Sequence, residues 1–310
     1  MILDNAISEP FVKILNFHND FNRNIKSSVG ALEFWKSKTG DAPTSKVTLP
    51  TGVEPWGPAT HWSNPIAVAE KTGAFIAELG IVRAASALED YITGADAELN
   101  RSNPNPVAVD AETSIKRLIV RLGIDPKTLV SLSAVTEFFD IARNCIVHRS
   151  GRANQELVDL AGDNAFQTAL AGLPKRKGKW RPSVPSMKKG DPVVWQPRHA
   201  IMASDVFFKI AREIDRSVVA SLKEAGMVRM AAHWCFFDGT TARCSAKRDA
   251  QTMVRSLLAD RYCAEDVSQA ETITHLKSIG KWEACLKAYT ARFPASGLLR
   301  DQRKTSAKKR

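Results

Sequence analysis

The sequence predicts an all-α fold, and three observations lead to that prediction. The chain has 310 residues, of which 44% are apolar and 25% charged, and this is ordinary for a folded globular protein. Apolar residues recur at helical spacing over several long stretches. No stretch alternates convincingly between apolar and polar residues, and only 192–195 and 233–237 qualify as candidate short strands.

The N-terminal segment, residues 1–66, is predicted to be a helical arm followed by a connector. Ser8 suits the N-cap of a helix over 8–37, and Pro10 suits its first turn. Eight Gly and Pro residues lie within 39–65. A helix cannot persist through that density of breakers, so this stretch is expected to connect the arm to the main body.

The main body, residues 67–224, is predicted to be a helical domain with a basic insertion. The apolar stripe of its first helix is expected to consist of Phe75, Leu79, Val82, Leu88 and Tyr91. Ser150-Gly151 marks the end of a later helix. The predicted helices, in chain order, cover 67–100, 110–122, 126–149, 154–171 and 198–224, and the insertion covers 172–196.

The remaining residues form a predicted C-terminal helical extension, 225–299, and a disordered basic tail, 300–310. The net charge of +11 is concentrated in two stretches. Residues 174–190 hold seven basic residues and no acidic one, and the tail holds six basic residues and one Asp. Such stretches on a near-neutral body indicate an anionic partner, with nucleic acid the first candidate and a membrane surface the second.

The cysteine pattern and the motifs that are missing from the sequence argue against several classes of protein. Five scattered cysteines without a CxxC pair do not predict a disulfide framework, and no secretory signal or membrane-spanning run is present, so a cytoplasmic protein is expected. Phosphate-loop, Rossmann, HExxH and GxSxG motifs are all lacking. The spacing of His233, Cys235 and Cys244 matches no common zinc site, so neither a metal nor another cofactor is expected.

The predicted helix over 126–149 carries the most informative residues. Asn144 and His148 are four residues apart and share one face of the helix. Arg143 lies at the edge of the apolar stripe, and its long stem reaches round toward His148. A basic cluster at a helix C-terminus also complements the helix dipole without any catalytic role. The apolar stripe opposite consists of Leu132, Val135, Phe139, Ala142 and Ile146.

The block Ile-Ala-Arg-Asn-Cys-Ile-Val-His-Arg-Ser-Gly, 141–151, resembles the signature of the HEPN superfamily. That signature is Arg, a polar residue that is often Asn, apolar residues and then His, in the second half of a long helix. The segment 81–92 resembles the helix that precedes it, and the resemblance covers about 67–224. It implies a small helical bundle that dimerises through its motif helices. It also implies a metal-independent endoribonuclease of the kind found in toxins and phage-defence systems, with an antitoxin or regulatory partner.

The chemistry that the resemblance implies is consistent with the residue types. RNA is cut without metal when its own 2′-OH attacks the adjacent phosphate, and the product is a 2′,3′-cyclic phosphate. A histidine such as His148 suits proton transfer near neutral pH, and the guanidinium of Arg143 suits the charge on the phosphate. Asn144 orients the imidazole or holds a phosphate oxygen. Since one histidine does not easily serve both sides of one phosphate, a composite site in a homodimer is expected.

Two further groups are candidates for supporting roles. Glu89 is placed to pair with Arg143, and its alternative is an exposed helix carboxylate. The basic stretch is a candidate clamp for the RNA backbone, with Trp180 available to stack on a base, and its alternative is a solvated loop. The predicted RNA-binding residues are Lys175, Arg176, Lys177, Lys179, Trp180 and Arg181.

Two other functions compete with the nuclease. In the first, the chain is a non-catalytic HEPN-like scaffold or RNA-binding protein whose motif is a vestige. In the second, it is a helical interaction protein in which the motif arose by chance. Tolerance of overexpression by the host, with or without Arg143 and His148, distinguishes a scaffold from a nuclease.

Overall fold

A computed structural model describes residues 1–39, 44–47, 60–102, 114–173, 181–238 and 249–293. Helices account for most of these residues, which confirms the predicted all-α class. The ten α-helices are α1 (Glu9–Thr39), α2 (Pro65–Ser102), α3 (Ile115–Arg121), α4 (Val130–His148), α5 (Gln155–Gly162), α6 (Asn164–Gly172), α7 (Pro197–Ala232), α8 (Ala250–Ser256), α9 (Gln269–Ser278) and α10 (Trp282–Arg292).

Short segments with other backbone geometry lie between these helices. A 3₁₀ turn, Pro126–Leu129, leads into α4. Two π-helical turns, His233–Phe237 and Leu257–Arg261, follow α7 and α8. Strands β1 (Thr44–Val47) and β2 (Thr60–Ser63) pair in antiparallel register.

Neither candidate short strand forms a strand, and the two strands that do form among the described residues lie where none was predicted. The stretch 233–237 is helical, and within 192–195 only Pro192 makes a bridge, to Arg152. The β1–β2 hairpin lies instead in the connector, where Gly and Pro prevent helix but tolerate strands between turns. The connector is therefore not wholly irregular.

Two predicted helices change and one predicted cap is confirmed. The predicted helix over 154–171 is two helices, because the side chain of Asp163 accepts a hydrogen bond from Phe166 N (2.8 Å) and caps α6. The helix predicted to end at 224 is interrupted there, with φ 54° at Lys223, and α7 then continues to Ala232. Ser8 caps α1 as predicted, since its Oγ accepts from Phe11 N (3.3 Å).

The chain folds into two compact units, each assembled from separated segments. Unit 1 contains the described residues of Met1–Ile14, Asp90–Asp125 and Ala211–Arg310, and unit 2 contains those of Leu15–Glu89 and Pro126–Ile210. The units are defined by contacts between residues, so their boundaries do not coincide with those of the segments predicted from composition. Both α4 and the predicted site lie in unit 2.

Aromatic side chains fill the core of unit 2. Phe138 of α4 stacks on Phe166 of α6, with ring centroids 4.7 Å apart. Phe139, the next residue, meets Phe207 of α7 edge-on at 6.3 Å. Trp195 is buried against both phenylalanines of α4. Because these large rings anchor α4 from one side, its opposite face is held toward solvent.

The predicted apolar stripe of α2 is confirmed only in part, since Leu88 and Tyr91 are buried and Val82 is partly buried. Phe75 and Leu79 are 58% and 48% exposed, so their expected place in the core was wrong. Gly80 explains the difference, since a Cβ built there would lie 2.7 Å from the Cβ of Ala200 on α7. Close approach of two helix backbones requires the residue with no side chain at that point.

No helix in the described part of the chain is long and apolar enough to cross a membrane. Across the same residues, no group of three His, Cys, Asp or Glu side chains is arranged to hold a metal ion.

Candidate functional site

The predicted site occupies the solvent-facing side of α4. Asn144 and His148 are exposed and Arg143 is half-buried, as the helical wheel predicts. The wheel prediction placed Leu132 and Ile146 in the stripe, but both are only partly buried, and Phe138 and Cys145 are buried in addition. The buried residues of α4 are Val135, Thr136, Phe138, Phe139, Ala142 and Cys145.

The chain turns sharply immediately after His148. The carbonyl of Cys145 accepts hydrogen bonds from Arg149 N (3.0 Å) and Gly151 N (3.1 Å), which closes the helix end. Ser150 and Gly151 take positive φ angles of 51° and 75°. Glycine is required at 151, since a Cβ there would also lie 3.0 Å from a carboxylate oxygen of Glu78. The turn leaves His148 at the solvent-exposed end of α4.

Arg143 is held by two contacts within unit 2. Its Nη1 donates to Asn144 Oδ1 at 2.9 Å, and its Nη2 lies 3.6 Å from Glu89 Oε1 on α2. Its Nε is buried and has no hydrogen-bond partner among the described residues. The ion pair considered from the sequence is therefore formed, although Glu89 is largely exposed, and at the surface such a pair adds little to stability.

Where α2 and α4 meet, the carboxyl groups of Glu89, Glu137 and Asp140 outnumber the single guanidinium of Arg143. Asp140 lies one turn before Asn144, and burial raises the pKa of its carboxyl to about 7. Repulsion from Glu89 and Glu137 contributes to the rise in the pKa, while Arg143 opposes it. Near neutral pH, Asp140 is therefore partly protonated, which lessens the negative charge beside the guanidinium.

His148 lies one helical turn beyond Asn144 and forms no hydrogen bond with any described residue. The structure thus brings together Arg143, Asn144 and Glu89, and it leaves His148 exposed on the same face. An exposed imidazole without a partner inside the described chain is accessible to a substrate or to a second copy of the protein.

Most of the predicted RNA-binding stretch, 174–180, lies outside the described residues. This concerns Lys175, Arg176, Lys177, Lys179 and Trp180. Arg181 is described and exposed. Further along the chain, Val193 N donates to Gly151 O (3.0 Å), so the end of the predicted insertion contacts the turn after α4.

The sequence interpretation missed three charged residues that share this surface with His148. Asp140 precedes the motif on α4, while Arg149 and Arg152 follow it in the turn. A signal for the two arginines was present, since they flank the helix-ending Ser150-Gly151 pair. Nothing in the spacing of Asp140 indicated a raised pKa, because burial beside Glu89 arises only when α2 packs against α4.

No family model, no curated protein and no solved structure matches this chain. The resemblance to the HEPN signature consequently rests on residues 81–92 and 141–151 themselves.

Proposed function

We propose that this protein is a metal-independent endoribonuclease of HEPN type, acting as a toxin or phage-defence effector. The observation that carries the proposal is the solvent-exposed polar face of α4. Asn144 and His148 are exposed there, and Arg143 is secured beside them by Glu89. An imidazole, a guanidinium and an amide are sufficient for intramolecular transesterification of RNA without a metal ion.

Each side chain has a role that follows from its surroundings. His148 moves a proton between solvent and the attacking 2′-OH or the leaving 5′-oxygen. Arg143 has five N–H donors, of which one is bonded to Asn144, so others remain to bind a phosphate oxygen in the transition state. Asn144 holds the guanidinium in its orientation. Glu89 acts through Arg143 and has no direct role at the phosphate.

A homodimer completes the proposed site. Transesterification needs a base on one side of the phosphorus and an acid on the other. Each chain contributes one histidine at the end of α4, so two copies facing each other supply both. We therefore expect the purified protein to have twice the monomer mass by light scattering. A monomer that cleaves RNA would contradict the composite site while leaving the reaction in place.

A second candidate function is RNA binding without cleavage. The observation that favours it is the pairing of Arg143 inside its own chain, because Glu89 competes with phosphate for the guanidinium. In that case the motif stabilises the seam between α2 and α4, and the bound RNA remains intact.

One experiment separates the two functions. Wild type, His148→Ala and the control Val147→Ala are incubated with total RNA in EDTA, and the RNA ends are mapped. Val147 is the neighbouring residue and is also exposed, so it controls for any change on this surface. We expect 2′,3′-cyclic phosphate ends from wild type and Val147→Ala, and none from His148→Ala. Absence of cleavage by wild type, or cleavage that survives in His148→Ala, contradicts the nuclease.

A further inference from the structure

A cleft opens directly behind the end of α4. Its volume is about 670 Å³, which is within the range of ligand-binding clefts. Three cationic residues line it, namely Arg149, Arg152 and Lys189. Arg149 is the residue after His148, so the cleft begins where the proposed active site ends.

Backbone hydrogen bonds bring the cations together from two parts of the chain. Gly190 N donates to Ala153 O (2.9 Å), and Ala153 N donates to Asp191 O (3.0 Å). Arg152 Nη1 adds a bond to Gly190 O (2.9 Å). The turn that carries Lys189 is therefore docked against the turn that follows α4, and the cleft is preformed.

The charges in the cleft are largely uncompensated within the described protein. Arg149 and Lys189 have no salt bridge to any described residue, and Arg152 bonds a neutral carbonyl. One carboxylate, Glu156, belongs to the lining, and its Oε2 accepts from Asn154 Nδ2 at 3.4 Å. Three cations against one anion leave a net positive cleft. Arg143 shares its charge with Glu89, so the cleft supplies further cations near His148 that have no carboxylate paired with them among the described residues.

We propose that this cleft binds the phosphodiester backbone of single-stranded RNA, at a phosphate next to the one that His148 acts on. This inference rests on the proposed function and adds to it where the strand is held. Arginine binds phosphate oxygens through two parallel N–H donors, and lysine adds a point charge. None of the described residues that line it is aromatic, so none offers a ring on which a base would stack. The cleft therefore binds the sugar-phosphate chain irrespective of sequence.

The test measures binding separately from cleavage. A labelled 2′-O-methyl RNA, which lacks the attacking hydroxyl, is titrated by fluorescence anisotropy at several salt concentrations. The proteins are wild type, the double variant Arg149→Gln/Lys189→Gln, and the control Lys188→Gln. Lys188 lies in the same turn, is exposed and does not line the cleft. We expect binding by the double variant to be at least about tenfold weaker, with unchanged binding by the control.

The salt dependence provides a second readout. For single strands the slope of log K against log salt has a magnitude of about 0.7 per neutralised phosphate, so removal of two cations is expected to reduce it by about 1.4. Equal affinity and equal slope for wild type and the double variant would overturn the proposal. Displacement of the RNA by a mononucleotide as effectively as by the unlabelled strand would also overturn it, because it would indicate a site for a small nucleotide.

Failure of this inference and failure of the nuclease give different results. If wild type cleaves RNA and the double variant binds normally, the cleft is not the strand site and the nuclease stands. If wild type binds RNA through the cleft but cuts none, the cleft stands and the nuclease fails. His148→Ala is expected to bind the uncleavable RNA as wild type does.

Discussion

The two units of this protein differ in where certain charged side chains lie and in whether those side chains have partners. Among the described residues, the fully buried carboxylates all belong to unit 1 and have partners in the same unit, and they are Glu9, Asp96, Glu98 and Asp215. In unit 2, the core around Phe138 and Trp195 is aromatic, while His148 and Arg149 lie at the surface without partners among the described residues. The difference indicates that charge in unit 1 stabilises the fold, whereas charge at the end of α4 is available to a ligand.

Glu98 shows how unit 1 satisfies a buried carboxylate. Its Oε1 accepts hydrogen bonds from Trp234 Nε1 (2.8 Å) and Arg101 Nη2 (2.6 Å), and its Oε2 lies 3.3 Å from Arg229 Nη2. Glu9 is similar, since Arg261 contacts it at 2.6 and 2.8 Å. Each carboxylate has an arginine beside it, so the cost of removing it from water is offset.

The largest effect on stability is expected from Glu98→Ala. The substitution takes the counter-charge from Arg229, whose side chain is only 12% exposed, and an acceptor from the indole of Trp234. Removal of one partner of a buried pair costs about 3–5 kcal/mol. The free energy of unfolding in urea measures the loss. Glu213→Ala, which breaks the exposed pair with Arg216, is the matched control and is expected to cost less than about 1 kcal/mol. Equal losses in the two variants would remove the contrast between buried and surface charge.

The next largest effect concerns Asp215, a buried carboxylate of unit 1 that is bonded by the neutral residues Ser8 and Tyr91. Ser8 N donates to its Oδ2 at 2.9 Å, and the hydroxyls of Ser8 and Tyr91 donate to Oδ1. Burial raises its pKa from 3.8 to about 6, although these hydrogen bonds oppose the rise.

The sign of the pH effect follows from that raised pKa. Between about pH 4 and pH 6 the folded state binds more protons at Asp215 than the unfolded state does, so stability falls as the pH rises. The slope is at most about 1.4 kcal/mol per pH unit. Asp215→Asn keeps an acceptor for Ser8 N and does not titrate. Relative to wild type, we expect its unfolding free energy to rise across this window, as measured by urea titrations at pH 4, 5 and 6. A constant difference between the two proteins would show that Asp215 does not titrate there.

A smaller effect on stability is expected from Arg143→Ala. The ion pair with Glu89 is at the surface, so its loss costs about 1 kcal/mol or less. Cleavage of RNA is expected to fall by at least about 10²-fold, because the charge on the phosphate loses its donor. Arg216→Ala removes an arginine from another surface ion pair, one far more exposed than Arg143, and is the control for both measurements. A loss of several kcal/mol would instead indicate that Arg143 serves the fold, as in the binding function.

The smallest effect on stability is expected from His148→Ala and Asn144→Ala. Both side chains are exposed, so thermal unfolding should show changes within about 0.5 kcal/mol. Together with loss of cleavage, unchanged stability would strengthen the distinction between the two units. A clear destabilisation of His148→Ala would show that the imidazole has a structural role.

Helix periodicity predicted much of the site before any packing was known. The spacing of Asn144 and His148 placed both on the exposed face of α4, and Ser150-Gly151 marked the end of that helix. The burial of Phe75 and Leu79 was wrong, because periodicity reports which residues share a face but not which face meets a neighbour. The face of α2 that contains Gly80 is the one that packs, because the missing side chain allows α2 to approach α7 closely.

Local propensity and residue order were enough to establish the helical class, the polar face of α4 and the basic character of the chain. What surrounds that face depends on packing in three dimensions. Asp140 acquires a pKa of about 7 because packing buries it, with a further contribution from Glu89, and Lys189 joins Arg149 only when its turn docks behind α4. The physical reason is that burial and charge proximity depend on distances in space between residues far apart in the chain, which periodicity does not report.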